Sequence, residues 1–232
     1  MADDFIASVS GIGALAEPAR RALYEYVVAQ PEPVSREQAA EGVGIAVHSA
    51  KFHLDRLVDE GLLEVEFRRL TGRTGPGAGR PAKLYHRSAT EFAVSLPERR
   101  YELAGQILAA GVDRAAHGDV GVGDAVREAA ATRGREAGEQ AGDQGDASGD
   151  EVGRTTAVLA RNGYEPRLRD DEVVLANCPF DALAHEHTEL VCGLNQAYIA
   201  GVLDGLGCAD LEACLDPEPG LCCVKTRRRA GS

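Results

Sequence analysis

The pattern that most constrains the fold lies between Leu15 and Ser88. Residues 15–29, LAEPARRALYEYVVA, place Ala19, Leu23, Tyr26 and Val27 at helical spacing on one face. Pro18 suits the first turn of that helix, and Pro31 and Pro33 stop it. Ser35 then stands as the N-cap of a short helix, SREQAAEGVG, with Gln38 three residues on as its capping-box partner. Gly42 and Gly44 close this helix. A longer one, from Ala46 to Glu60, turns Val47, Leu54, Leu57 and Val58 inward and ends at Gly61. A short helix, a glycine turn and a longer helix form the spacing of a helix-turn-helix. Behind it LLEVEFRRL alternates as a strand, TGRTGPGAGRPA is a loop of glycine, proline and arginine, and KLYHRS is a second strand. Two strands closed by a basic loop after the second helix describe a winged helix.

A formal net charge of −12 excludes a generally adhesive polyanion binder, but the charge is uneven. From Phe67 to Arg87 the charged residues are Arg68, Arg69, Arg73, Arg80, Lys83 and Arg87, all basic. A helix of ~10–12 Å diameter fits a major groove ~12 Å wide. His48, Ser49, Lys51, His53 and Arg56 on the longer helix are therefore candidates for base edges or phosphates. Arg73, Arg80 and Lys83 on the wing are candidates for phosphates or a minor groove. Phe52 and His53 would serve equally as packing residues. The expected partner is double-stranded operator DNA. Residues 11–89 resemble the ArsR-like winged-helix regulators, and GAGRPAKLY resembles the wing of one subgroup of them.

After a linker, Tyr101, Leu103, Ala104, Ile107 and Leu108 form an apolar stripe on a long helix. A winged helix reading two half-sites needs a symmetric partner, so this helix is a candidate homodimer contact. A helix buried within the C-terminal domain would carry the same stripe. Residues 117–153 are dominated by glycine, alanine and aspartate; 124–140 read as a polar, alanine-rich helix. A phosphate cradle would need a GKS or GKT ending, and neither is present. Residues 155–162 read as a helix ending at Gly163. YEPRLRDDEVVLANCPF reads as two strands turning at Arg169–Asp171, and HTELVCGLNQAYIAGVLDGLG as a strong helix. LEACLDPEPGLCCVK closes with a proline turn and a strand bearing Cys222 and Cys223. The expected fold is α+β. It comprises a winged helix-turn-helix (residues 1–90), a linker or dimerisation helix (91–116) and an α/β cysteine-rich sensor domain (117–232).

All six cysteines fall between Asn177 and Lys225. No apolar run reaches the ~18 residues of a membrane span, and the first residues lack secretory features. A cytoplasmic protein with no membrane attachment is expected, and reduced thiols clustered there read as metal ligands or redox groups. Thirteen residues separate Cys178 from Cys192, fifteen Cys192 from Cys208, and fourteen Cys208 from Cys223. That is neither paired CxxC nor a ferredoxin run. A strand end, a helix start, a helix end and a final strand can nevertheless converge on one point.

The wing followed by NCPF, Cys192 within a helix and a late cysteine pair resembles the SufR-like iron–sulfur regulators. Each of the first two gaps is longer here than in that family. The resemblance implies a repressor whose operator affinity follows a cluster, 4Fe–4S in the first instance, and which senses redox change by losing or oxidising it. It implies Cys178, Cys192, Cys208 and Cys223 as ligands, with Cys222 as the alternate to Cys223, because neighbours on a strand point apart. Cys214 matches no family position. The main rival is a structural zinc on the same cysteines with a small-molecule effector, since zinc shares the preference for thiolate. A thiol oxidoreductase using Cys222–Cys223 is weaker, because CxxC is missing. His185 and His187, two residues apart, lie on different helix faces and are expected in solvent. No Ser/His/Asp order or paired-carboxylate pattern is assignable, so no enzymatic activity is expected.

Overall fold

The computed structural model describes residues 2–69, 81–143, 149–170 and 172–229, with side chains from residue 5 onward. It is a mixed helix and sheet fold whose chain divides into two compact units, 1–94 and 95–232.

In the first unit, α1 (Ala2–Ala14) precedes α2 (Pro18–Val28), β1 (Val34–Ser35), α3 (Arg36–Val43), α4 (Val47–Asp59), β2 (Leu63–Arg68) and β3 (Ala82–Arg87). Local chemistry sets the boundaries. The Glu17 carboxylate accepts from the amides of Ala19 and Arg20 at 3.1 and 2.6 Å, with Pro18 at the first helical position. Ser35 and Gln38 form the reciprocal capping box. Gly44, at φ +75°, takes the left-handed conformation that ends α3 without a Cβ penalty. The strands pair antiparallel in the order β1-β3-β2, with Leu63 opposite Arg87 and Arg68 opposite Ala82. Leu23, Leu54 and Leu57 are fully buried in the core, each contributing about 1.5–3 kcal/mol. Val47, expected inward, is exposed, because it opens α4 ahead of the turn that meets α2. The sequence reading began its first helix at Leu15 and did not foresee α1.

The second unit contains α5 (Tyr101–His117), α6 (Val122–Asp143), α7 (Glu151–Arg161), β4 (Pro166–Arg169), β5 (Glu172–Leu175), α8 (Asp181–Glu186), α9 (Thr188–Gly205), β6 (Leu211–Leu215) and β7 (Val224–Arg228). Its strands form one antiparallel sheet in the order β4-β5-β7-β6. The expected turn between β4 and β5 is there, and β6 is an additional strand. Ala104 and Ile107 of α5 join the core of this unit, beside Val126 of α6. The helix that was set apart as a linker thus spends its apolar stripe within the second unit.

The long α6 lies against α9 at backbone distance. A Cβ added to Gly134 would come within 2.0 Å of the Tyr198 carbonyl oxygen, and one added to Gly201 within 2.1 Å of the Ala131 carbonyl oxygen. The polar, alanine-rich helix expected over 124–140 is thus part of α6, and its glycines are what permit the crossing.

Candidate functional site

Two regions carry chemistry, one in each unit. In the first, α4 presents His48, Lys51 and Phe52 to solvent, with Phe52 67% exposed, while Ser49 is half-buried. Arg56 is exposed but pairs with Glu60 one turn on. His53 turns inward, its Nδ1 3.5 Å from the Glu17 carboxylate. Lys83 on β3 donates to Asp55 at 2.5 Å, and the Tyr85 hydroxyl donates to the same oxygen at 3.0 Å. Burial would raise the Asp55 carboxyl, but the hydrogen bonds from Lys83 and Tyr85 outweigh it and hold it below the usual range. Lys83 therefore fastens the wing strand to α4 while remaining partly exposed. The sequence stretch 67–87 is free of acids, but the fold supplies one from α4. Arg73 and Arg80 lie outside the described residues.

In the second unit, four cysteines from three segments stand as two pairs, Cys178 with Cys222 and Cys192 with Cys223. Cys178 sits in the loop after β5, Cys192 in the first turns of α9, and Cys222 and Cys223 just before β7. Asn177 anchors the loop. Its amide donates to the carbonyls of Glu98 and Gly163 at 2.9 and 2.6 Å, and Arg99 donates to the Cys178 carbonyl at 3.1 Å. The Cys222 amide donates to the Leu175 carbonyl at 2.8 Å, fixing the other side. Cys178 and Cys222 are close enough for their thiols to perturb each other, and Cys192 and Cys223 are joined as a disulfide with Cα atoms 6.6 Å apart. Because Cys222 and Cys223 precede the strand instead of lying on it, strand alternation does not separate them, and each finds a partner.

The electrostatics of the Cys178–Cys222 pair are unequal. The hydrogen bond to Cys222 and then burial push the Cys178 thiol up. Cys222 moves down, chiefly through that same bond, against burial, and with further help from Val224 N–H and the Asn195 amide. Asn195, 1% exposed on α9, donates to the Cys222 sulfur at 3.2 Å and accepts from the Tyr164 hydroxyl at 2.5 Å. Burial keeps Tyr164 protonated far above its ordinary range.

Cys208 does not join this group. It is buried after α9 with its sulfur 3.7 Å from Thr155 Oγ1 and 3.9 Å from the Glu151 carbonyl, so the helix end faces α7 and not the sulfur pairs. Cys214 donates to the Lys225 carbonyl at 3.6 Å across β6 and β7. Burial pushes both thiols up. His185 and His187 are exposed. Among the described residues, no three or more His, Cys, Asp or Glu side chains are arranged as a metal site. In kind, the cysteine donors suit a soft metal or an iron–sulfur cluster; in arrangement they stand as two pairs.

A family model described as a helix-turn-helix domain matches residues 15–66. These residues span α2 to β2 and include the capping box and α4. The chain carries a helix-turn-helix domain. With β2 and β3 behind α4, this supports a winged-helix DNA-binding transcriptional regulator. Neither curated proteins nor solved structures gave a match. Among the described residues, no helix is long and apolar enough to cross a membrane. The sequence reading missed Asn195 and Tyr164. A lone Asn inside an otherwise apolar helix was the only signal for them.

Proposed function

We propose that this protein is a cytoplasmic, homodimeric repressor whose affinity for operator DNA is set by a metal centre, a 4Fe–4S cluster in the first instance, held by Cys178, Cys192 and the Cys222–Cys223 pair. The observation that carries this reading is the meeting of sulfurs from three elements far apart in sequence, with Cys178 beside Cys222 and Cys192 beside Cys223. Cys208, included by the resemblance, has no place in this set, because its thiol faces Thr155 and Glu151. Binding at all four sulfurs requires the Cys192–Cys223 disulfide to be reduced by exchange with a cellular dithiol, which is oxidised to its own disulfide and leaves two thiols here.

When bound, the centre supplies soft-metal ligation that ties the β5 loop, α9 and the segment before β7 together. The chain's own residues prepare for this. Asn177 and Arg99 hold the Cys178 loop, and the Leu175 carbonyl holds Cys222. In the first unit, α4 offers His48, Lys51 and Phe52 to the major groove, and the wing offers its arginines to the backbone. No catalysis is part of this function. A coupling of ~1–3 kcal/mol between the two units would change operator affinity about 5–150-fold.

A structural zinc with a small-molecule effector is the second reading. It is favoured by a polar cavity of about 290 Å³ lined by Arg100, Gln106, Arg133 and Tyr198. Iron and acid-labile sulfide in anaerobically purified brown protein support the cluster. Colourless protein with stoichiometric zinc overturns it in favour of the second reading. Cys178→Ala should abolish the visible chromophore while the first unit stays folded.

A further inference from the structure

The six cysteines sit in two kinds of surroundings. Cys208 and Cys214 each point a thiol at a backbone carbonyl, Glu151 and Lys225 respectively. That is what a neutral, buried S–H does with its weak donor. Cys222 is different. Its sulfur accepts from the buried side-chain amide of Asn195 at 3.2 Å. A buried sulfur faced by an amide donor is suited to carry negative charge or to bind a cation.

The Asn195 amide cannot be incidental. It is 1% exposed, and a buried amide without partners costs several kcal/mol, ~2–7 by transfer scales. Its oxygen is held by Tyr164, itself 3% exposed and kept protonated by burial. With the oxygen engaged, the amide nitrogen is left to face the sulfur. Tyr164 follows α7 and Asn195 lies on α9, so the relay spans two elements to reach a third.

We propose that Asn195, oriented by Tyr164, is a positioning residue for the Cys222 sulfur within the proposed set of metal-binding cysteines. This deepens the proposed function and rests on it. Donation from a buried amide withdraws electron density from a ligating sulfur. Removing it therefore lowers the energy of sulfur-to-metal charge transfer, and the loss of a partner that orients and stabilises the thiolate loosens the metal.

The test uses the full chain, reduced with a phosphine under anaerobic conditions and titrated with cobalt(II) alone. Wild type should develop sulfur-to-cobalt charge-transfer absorption. Asn195→Leu should bind about 10–100-fold more weakly, the usual cost of losing an outer partner of a metal ligand, with the band moved to lower energy. Tyr164→Phe, which removes one oxygen and leaves the fold intact, should move the band the same way by less. Asn195→Gln, which keeps an amide donor, should restore part of the shift. Cys222→Ala, which removes the sulfur itself, should weaken or lose the band.

Unchanged band and affinity in both Asn195→Leu and Tyr164→Phe would overturn the inference while leaving the metal reading intact. So would a band and an affinity left unchanged by Cys222→Ala. Should Asn195→Leu fail to fold, an unmoved band in Tyr164→Phe alone has the same force. A wild-type protein that gives no thiolate-to-cobalt absorption overturns the metal reading and the inference together. Repeating the comparison with iron and sulfide, then with zinc, distinguishes a cluster from a single ion.

Discussion

Replacing Gly201 by alanine probes the backbone contact between α6 and α9. The new Cβ would lie 2.1 Å from the Ala131 carbonyl oxygen, whereas ordinary contact begins at 3.4 Å. The two helices must therefore part locally by about 1.3 Å, because a carbonyl in a helix has no rotamer with which to yield. Overpacking of this kind costs about 1–3 kcal/mol. A separation of ~0.5–1 Å already forfeits a quarter to a half of each neighbouring dispersion contact. Against this, Gly→Ala in a helix interior recovers about 1 kcal/mol. The net expectation is a loss of about 1–2 kcal/mol, or roughly 4–8 °C in Tm at ~4 °C per kcal/mol for a unit of this size. The assay is thermal and urea unfolding followed by far-UV circular dichroism. Gly105→Ala on α5 is the internal control. A Cβ there meets nothing within 4 Å, so that variant should gain up to about 1 kcal/mol. If Gly201→Ala matches or exceeds wild type in stability, the close crossing does not constrain the second unit and the reasoning is refuted.

Ser35→Ala removes the capping box of α3 and should cost about 1 kcal/mol, read from urea midpoints. Asp55→Ala leaves Lys83 and Tyr85 without their shared acceptor and should destabilise the first unit by about 1–2 kcal/mol. Since the folded Asp55 carboxyl titrates below its ordinary value, its contribution is complete above roughly pH 4 and is lost as pH falls through the lower folded value. Acid titration of the wild type should show this loss and that of Asp55→Ala should not. Lys51→Ala should weaken operator binding and reduce the salt slope by about one, measured by fluorescence anisotropy at several salt concentrations. Arg80→Ala should weaken binding without changing the metal chromophore; unchanged DNA affinity would remove the wing from the account.

Much of the first unit was legible because its signals are local. Ser35 with Gln38, Gly44 and Gly61 mark helix ends by side-chain and backbone rules that need no partner. The β4–β5 turn was legible for the same reason. What escaped depended on distant neighbours. The segment containing α6 has little apolar stripe, because its contact with α9 runs through backbone and glycine, which no hydrophobic pattern records. Cys222 and Cys223 were placed on a strand because the apolar residues run on into Val224, yet pairing begins only at that residue. Cys208 entered the ligand set through the family resemblance, and only the packing of the α9 end against α7 shows its thiol turned toward Thr155 and Glu151. Asn195 carries a buried relay that no linear motif announces.

Where α6 and α9 cross, bare α-carbons rest on carbonyl oxygens, with no side chain between them to flex. Cys192 and Asn195 lie toward one end of α9, and Gly201 and Gly205 toward the other. A tilt started at the sulfurs is therefore not absorbed by rotamer changes at the crossing. It must swing α6 as a stiff beam, and α5, seated on α6 at Gly111 and Val126, must ride with it. The helix pair thus works as a lever arm, and its stiffness comes from the glycines.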